Sequence, residues 1–321
     1  MSFELILPFL RPIEPLLLDE SISEIMGNPD ASWWYERDGI IHREKTVSFA
    51  AGKLRTGLEV IANQLGKRLD EDNPILHAQL PDGSRLAAVV PPVVRPTPAL
   101  IIRKFTSRRY TVDDLIARGT LTRPLADFLA EQIRSGKTLL ISGGTGTGKT
   151  TLLRILADFI PEQERLVVIE DTSELQIQKP NILAVECQTD TFKANITFDD
   201  LLKSALRWRP DRIILGEVRG VEARTLLDSF NTGHAGSLAT IHANSAEKAL
   251  HRFANLVMRN HAQTTFSDTE AEIGEAVNFV VHVERLPGRR IVREVLTLRG
   301  YDRDAKRFLI EPVFEVKHVT A

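Results

Sequence analysis

A glycine-rich segment that joins an apolar stretch to a helical stretch limits the fold of this chain more than any other feature. Residues 138–142 have the length and apolar character of a buried strand, and residues 152–156 have those of a helix. Between them lies the pattern G-x-x-x-x-G-K-[ST], made by Gly143, Gly144, Thr145, Gly146, Thr147, Gly148, Lys149 and Thr150, with Thr151 next. Because glycines let several backbone N–H groups converge at a helix N-terminus, this order of elements predicts a phosphate site.

The predicted phosphate site suits ATP with Mg²⁺. Lys149 would reach the β and γ phosphates, and the Thr150 hydroxyl would coordinate Mg²⁺. The apolar stretch 213–215 leads to Glu217, which places a carboxylate at the carboxyl end of a strand, where ligands of parallel sheets bind. Glu217 is therefore predicted to hold Mg²⁺ or its water. The pattern alone is shared by kinases, GTPases and switches, but the chain lacks the Asn/Thr-Lys-x-Asp sequence that reads guanine.

A second strand tip carries the candidate catalytic base. The apolar residues 166–169 end in Glu170 and Asp171, and Glu174 follows three residues later. Hydrolysis needs a carboxylate opposite the γ-phosphate, so Glu170 is predicted to polarise the attacking water, with Glu174 as the reserve. A helix cap or a loop ion pair is the alternative interpretation of the Glu170–Asp171 pair.

Two histidines, His234 and His242, flank the apolar residues 238–241. Their spacing of eight does not match a zinc site. The functional interpretation is that both follow the γ-phosphate by hydrogen bonding and report it to a neighbouring subunit. The alternative is a glycine helix stop beside a satisfied core histidine.

The 321 residues predict two domains and a linker between them. Residues 1–95 are expected to form a small α+β domain with hairpins near Gly39 and Gly83. Four prolines lie within residues 91–98, so residues 96–105 are interpreted as a stiff linker. In residues 106–321, strands predicted at 139–142, 166–170, 213–216 and 238–241 alternate with helices predicted at 149–158, 199–208, 221–232 and 245–259. This alternation predicts a parallel α/β sheet, which three further β segments follow after residue 277.

The N-terminal apolar residues 5–18 are interrupted by prolines and charges. We expect them to form an extended arm that packs on its own domain, with docking on a membrane surface or a partner as the alternative. No stretch approaches the 18 apolar residues of a membrane-spanning helix, so no transmembrane segment is expected. The single cysteine, Cys187, has no partner for a disulfide within the chain, which fits a reducing compartment, and it is interpreted as a packing residue without a catalytic role. Together with the expected lack of a transmembrane segment, this predicts a cytoplasmic protein.

The charge balance argues against nucleic acid as a stable partner. Lys and Arg number 41 and Asp and Glu 43, so the net charge of -2 provides no general basic field. A nucleic-acid translocase would need basic and aromatic side chains along a ring pore. The only candidates for that alternative are Arg207, Trp208, Arg209 and Arg212.

Four motifs together carry a family resemblance. Residues 143–151, 168–175, 206–220 and 231–245 resemble, in this order, the Walker A motif, Asp box, Walker B motif and His box of the type II/IV secretion and pilus traffic ATPases. Two of these segments are most similar in sequence to the conjugal-transfer, TrbB-type branch of the type IV secretion ATPases: LRWRPDRIILGEVRG and NTGHAGSLATIHANS. The chain length supports this branch, and so does the absence of a four-cysteine zinc module.

The resemblance implies a RecA-like P-loop NTPase domain, a homo-hexameric ring and ATP hydrolysis that moves partner proteins at the cytoplasmic face of the inner membrane. It assigns Glu170 to the Asp box, Glu217 to Walker B and His242 to the His box. Residues 101–105 resemble the family's linker, so Arg103 is a candidate for phosphate contact. Arg108, Arg109 and Arg219 are further candidates, and Arg103 and Arg219 have interface salt bridges as their alternative role.

Two other functions remain compatible with the motifs. A Tad or type IV pilus assembly ATPase would carry the same nucleotide site. A silent scaffold would bind ATP to order an assembly, although the P-loop lysine and both candidate carboxylates are present.

Overall fold

The computed structural model describes residues 3–37, 39–105, 110–188, 195–259 and 264–316. The chain divides into two compact units, Met1–Arg109 and Tyr110–Ala321. The first unit holds a six-stranded sheet and the second an eight-stranded sheet. In the described ranges, no helix has the length and apolar character needed to cross a membrane.

The first unit combines short helices with an antiparallel sheet. Two 3-10 helices, Phe3–Leu5 and Leu7–Ile13, precede α1 (Glu14–Leu18), β1 (Ile22–Gly27), β2 (Trp33–Arg37), β3 (Ile40–Glu44), α2 (Lys53–Gln64), β4 (Ile75–Gln79), β5 (Arg85–Val89) and β6 (Ala99–Arg103). The strand order is β3-β2-β1-β6-β5-β4. Both predicted hairpins are confirmed as β2–β3 and β4–β5. Asp38, which the sequence places in the predicted turn, lies outside the described residues.

The prediction that residues 5–18 form an extended arm is wrong. Ile6, Leu10, Ile13 and Leu17 recur at helical spacing, and all four are buried in the core of the first unit. Pro8 and Pro15 stand in the first turn of the second 3-10 helix and of α1, where a missing backbone N–H costs no helical hydrogen bond, whereas Pro12 lies inside that 3-10 helix. Burial of one apolar side therefore outweighs the proline content.

The segment predicted as a linker contains β6, a central strand of the first sheet. β6 pairs with β1 on one side and with β5 on the other. Leu100 and Ile102 are fully buried, whereas Ile101 and Arg103 are exposed, which is the period of two expected of a strand. The proline cluster ends just before this alternation begins.

The second unit is an α/β layer structure. Its elements are α3 (Val112–Ala117), α4 (Arg123–Arg134), β7 (Leu139–Gly143), α5 (Lys149–Ala157), β8 (Leu166–Glu170), β9 (Ile182–Glu186), α6 (Phe198–Ala205), β10 (Arg212–Val218), α7 (Glu222–Asn231), β11 (Leu238–Ile241), α8 (Ala246–Met258), α9 (Phe266–Ala276), β12 (Phe279–Leu286), β13 (Arg289–Asp302) and β14 (Arg307–Glu315). The strand order is β14-β13-β12-β7-β11-β10-β8-β9. Strands β12 to β9 of this order run parallel, and β13 and β14 are antiparallel.

Two apolar cores cover the two faces of this sheet. One contains buried residues of α3, α4 and α5, and the other contains those of α6 to α9. The predicted fold class, α/β with a smaller α+β domain before it, is confirmed. Because β7, β8, β10 and β11 are parallel, their carboxyl ends meet at one edge, where the predicted motifs also lie.

Candidate nucleotide site

The glycine-rich loop connects β7 to α5 at the carboxyl edge of the sheet. A Cβ atom at Gly143 would lie 2.4 Å from the Val283 carbonyl oxygen and 2.6 Å from Thr147 Oγ1, so only glycine fits there. Gly148 has a φ of 94° and stands directly before α5, a conformation that other residues adopt at a cost. Thr147 Oγ1 donates a hydrogen bond to the Gly144 carbonyl at 3.0 Å and closes the loop on itself.

Lys149 is buried at the start of α5, and its ammonium faces the loop. Its Nζ donates to the carbonyls of Gly143 and Gly144 at 3.1 and 2.8 Å. Nζ also lies 3.5 Å from Nδ1 of His242. Charge-assisted bonds to phosphate oxygens are stronger than bonds to neutral carbonyls, so a bound phosphate would compete for this ammonium. Thr150 and Thr151 follow in the first turn of α5, at the positive end of the helix dipole.

A continuous line of polar contacts runs from Lys149 across the strand ends. Beyond the Lys149 contact, Nε2 of His242 lies 3.1 Å from Oε1 of Glu217. Arg219 Nη2 donates to Oε2 of Glu217 at 2.9 Å, and its Nη1 donates to Oδ2 of Asp171 at 3.2 Å. The structure therefore brings the Walker A lysine, His-box histidine, Walker B carboxylate and Asp box together in one row.

Burial and the charges in this row shift the pKa values of His242 and Glu217. Burial and the nearby Lys149 lower the pKa of His242, although Glu217 opposes them. Burial raises the pKa of Glu217, but the hydrogen bond and charge of Arg219, with His242 and Lys149, outweigh it and lower that pKa. A neutral His242 with its proton on Nε2 satisfies both neighbours, since Nε2–H donates to Glu217 while Nδ1 accepts from Lys149; this tautomer is assigned from the hydrogen-bond network.

Glu170 ends β8 and is 5% exposed. Its Oε1 accepts the backbone N–H groups of Glu174 and Leu175, both at 2.9 Å. Burial raises its pKa to about 7; these two hydrogen bonds work against that rise, and the charges of Glu174 and Glu186 add to it. A carboxyl group that titrates near neutrality has the property required of a general base. The same side chain also organises the loop after β8, as the structural alternative expects.

His234 lies at the opposite edge of the sheet. It precedes β11, and its Nδ1 is 3.3 Å from the Ser229 carbonyl oxygen. Its own carbonyl accepts a hydrogen bond from Ser237 Oγ. The first and last of the four residues of β11 are roughly 10 Å apart at a strand's rise of about 3.3 Å per residue, and the two histidines lie beyond these ends. In a single chain, His242 therefore lies at the same edge of the sheet as the glycine-rich loop, and His234 does not.

The arginines singled out in the sequence lie in different parts of the structure. Arg103 is the exposed last residue of β6 in the first unit, and its contact with phosphate stays a prediction. Arg108 and Arg109 lie outside the described residues. Arg219 is part of the row described above. Arg212 is 2% exposed and forms an ion pair with Glu164, so this member of the basic cluster serves the interior of the unit.

Sequence reasoning missed a group of site residues on the hairpin formed by β12 and β13. Arg290 Nε donates to the Gly146 carbonyl at 2.9 Å, and His282 Nδ1 lies 2.9 Å from Ser142 Oγ. These residues are more than 130 positions from the loop in sequence. Only the pairing of β12 with β7 brings them there, and no local pattern announces that pairing.

Comparisons with known proteins identify what the chain is similar to. Residues 10–296 match the family described as Type II/IV secretion system protein. The chain is 38% identical over 288 residues to a conjugal transfer protein TrbB of Rhizobium radiobacter, covering 88% of this chain and 85% of the relative. It is 32% identical over 316 residues to the type IV secretion system protein PtlH of Bordetella pertussis, covering 90% and 93%. The structure of the ATPase DotB of Legionella pneumophila shares the fold, with a TM-score of 0.63 at 18% identity over 95% of this chain and 84% of that chain.

Proposed function

Because the chain belongs to the family of type II/IV secretion system proteins, as its four motifs predict, we propose that it is a hexameric ATPase that drives type IV secretion or conjugal transfer. The observation that carries this proposal is the position of His242 between Lys149 and Glu217, within hydrogen-bond distance of both. This histidine joins the group that would hold the γ-phosphate to the carboxylate of the Walker B strand. A change at the phosphate therefore reaches the rest of the site through one side chain.

Binding is assigned to the loop and the start of α5. The backbone N–H groups of residues 143–151 surround the phosphates, and Lys149 exchanges its carbonyl partners for β- and γ-phosphate oxygens. The hydroxyl of Thr150 and the carboxylate of Glu217 are hard oxygen donors of the kind Mg²⁺ prefers, so these two residues fit the metal. When bound, Mg²⁺ neutralises charge on the β- and γ-phosphate oxygens.

Hydrolysis is assigned to Glu170, with Glu174 as the reserve. With a pKa of about 7, the Glu170 carboxylate can take a proton from the attacking water near neutral pH. Once Lys149 moves to the phosphate, Nδ1 of His242 loses the contact it has with that ammonium. His242 is then positioned to accept a different donor and to report the nucleotide state.

Assembly and location follow from the family resemblance. A ring of six copies would let Arg103 and His234 act on a neighbouring subunit's nucleotide, with Arg219 as a further contact. The names of the relatives, conjugal transfer and type IV secretion proteins, support inner-membrane secretion or pilus components as partners. A peripheral position on the cytoplasmic face fits those partners. The buried ion pair of Arg212 weakens the case for a nucleic-acid translocase, which would need that residue in a pore.

One experiment tests activity and assembly together. The ATPase rate per chain is measured against protein concentration, with light scattering after size-exclusion chromatography on the same samples, with and without Mg-ATP. A rate that rises with ring formation and ignores single-stranded DNA supports the proposal. Strong stimulation by DNA would favour a translocase, and binding without turnover in every assembly state would favour a scaffold. Lys149→Ala serves as the inactive reference, because it removes the ammonium that the phosphates require.

A further inference from the structure

The hairpin of β12 and β13 lies outside all four motifs, yet it contacts the glycine-rich loop and the residue that follows the His box. β12 runs parallel to β7, with Val283 opposite Gly143 and His282 opposite Ser142. After a turn at residues 287–288, β13 returns antiparallel to β12. The hairpin therefore extends past the end of β7 and stands beside the glycine-rich loop.

At its tip the hairpin holds the loop. Arg290 Nε donates to the Gly146 carbonyl at 2.9 Å, and Arg290 Cδ is 3.3 Å from where a Cβ of Gly148 would stand. The absence of a side chain at Gly148 therefore leaves room for the Arg290 side chain as well as for a phosphate. A bond to the Gly146 carbonyl fixes the orientation of the peptide group that joins Gly146 to Thr147, and hence the N–H on its other side.

Lower on the hairpin, a second contact holds the segment after the His box. Glu294 lies opposite His282 across the hairpin, and its Oε1 accepts the backbone N–H of Ala246 at 2.6 Å. Ala246 is the first residue of α8 and comes four positions after His242. A carboxylate at this end of a helix is favoured by the helix dipole. Glu294, together with the Ser245 side chain that accepts the Lys248 N–H, therefore fixes where α8 begins, and with it the short segment that carries His242.

The two halves of the hairpin are joined beneath the loop. Ser142 is the last residue but one of β7 and is fully buried. Its Oγ lies 2.9 Å from Nδ1 of the buried His282 on β12. Arg293 and Glu284 form an ion pair across the two strands at 3.0 Å. These contacts make the hairpin a stiff connection between the loop and the start of α8.

We propose that this hairpin positions the nucleotide site, in that Arg290 holds the phosphate-binding loop in shape and Glu294 holds the segment of His242. The inference rests on the proposed ATPase function of the same site. The two contacts act on different steps. The loop touches the phosphates of ATP and ADP alike, so Arg290 governs nucleotide affinity, whereas His242 faces the reacting end, so Glu294 governs turnover.

The test measures nucleotide binding and ATP turnover separately in variants of the 321-residue chain. Equilibrium Kd values for ATP and ADP and the kcat of hydrolysis are measured for R290Q, E294A and E294Q. Arg289→Gln is the matched control, since Arg289 is an exposed neighbour on the same hairpin. Loss of a charge-assisted hydrogen bond corresponds to about tenfold. R290Q should weaken both nucleotides by about tenfold with kcat nearly unchanged, and E294A should lower kcat by about tenfold with both Kd values nearly unchanged.

The conservative variant separates positioning from mere stability. A glutamine at 294 keeps an oxygen that can accept the Ala246 N–H, so E294Q should recover most of the kcat that E294A loses. If E294A does not fold, Glu294→Asp, which keeps the charge but shortens the side chain, takes its place with the same expected direction.

The inference is overturned if R290Q and E294A change the same constant by the same factor. It is also overturned if both lower only the melting temperature. Lys149→Ala distinguishes the two levels of the argument. If Lys149→Ala still hydrolyses ATP, the proposed function fails. If Lys149→Ala is inactive but R290Q and E294A leave the Kd values and kcat unchanged, only the positioning role of the hairpin is refuted.

Discussion

Replacing Glu170 with glutamine should abolish turnover and, at alkaline pH, stabilise the second unit. The folded state raises the pKa of this carboxyl group from its ordinary value of 4.5 to about 7, mainly because the side chain is buried. The unfolded chain therefore releases the proton at lower pH than the folded chain does. Folding stability falls as pH rises from about 4.5 to about 7, and the loss is complete above the folded-state pKa.

The size of this penalty follows from the same two pKa values. The gap between 4.5 and about 7 corresponds to about 3 kcal/mol, as an order of magnitude. Glutamine has nearly the same shape, carries no charge, and keeps an oxygen for the N–H groups of Glu174 and Leu175. At pH 8 the Glu170→Gln variant should therefore unfold with a melting temperature higher by up to about 6–12 °C, while at pH 4.5 the two proteins should melt together.

Thermal unfolding followed by intrinsic fluorescence from pH 4.5 to 8.5 measures this difference. The control is Glu174→Gln, a partly exposed carboxyl group in the same loop that should shift the melting temperature little at either pH. The reasoning is refuted if the gain from Glu170→Gln is the same at every pH, or if the variant is less stable at pH 8. ATP binding by the variant should persist, and loss of hydrolysis by Glu174→Gln instead would move the base to the reserve residue.

Three further predictions address the rest of the unit. The kcat of the wild-type chain should rise between pH 6 and 8 as Glu170 loses its proton, and a pH–rate profile that is flat there contradicts its role as the base. His242→Asn should lower kcat by about tenfold to a hundredfold with ATP affinity changed far less, because an amide cannot bridge Lys149 and Glu217 as the imidazole does; steady-state kinetics beside equilibrium binding measure the two. Arg212→Met should destabilise the second unit by about 3 kcal/mol, since it leaves Glu164 and two carbonyls without their donor, and denaturant unfolding without such a loss would contradict the interior role of Arg212.

The parts of the site that the sequence predicts are those carried by short contiguous motifs. The loop follows an apolar strand, Glu170 and Glu217 lie at the carboxyl ends of two others, and the parallel arrangement of those strands brings their ends to one edge. Arg290 and Glu294 could not be found in this way, because their contacts depend on β12 lying beside β7. That neighbour relation is set by the packing of the whole sheet. No residue pattern within the hairpin marks it.

The two histidines show that placement on a strand matters more than proximity in sequence. His234 and His242 are only eight residues apart, but β11 lies between them, so they emerge at opposite edges of the sheet. In a parallel sheet, a residue before a strand and one after it cannot share a ligand at one edge. The sequence holds this information once the strand is recognised. A role for His234 at the phosphate therefore requires a second copy of the chain.

The protonation of the site reverses the usual roles of histidine and glutamate. Histidine ordinarily titrates near neutrality, but burial and Lys149 lower the pKa of His242, while burial brings Glu170 to a pKa of about 7. The contacts of His242 with Lys149 and Glu217 are made by the neutral imidazole, the form that the lowered pKa of His242 favours. Proton transfer and phosphate reporting are consequently assigned to separate groups.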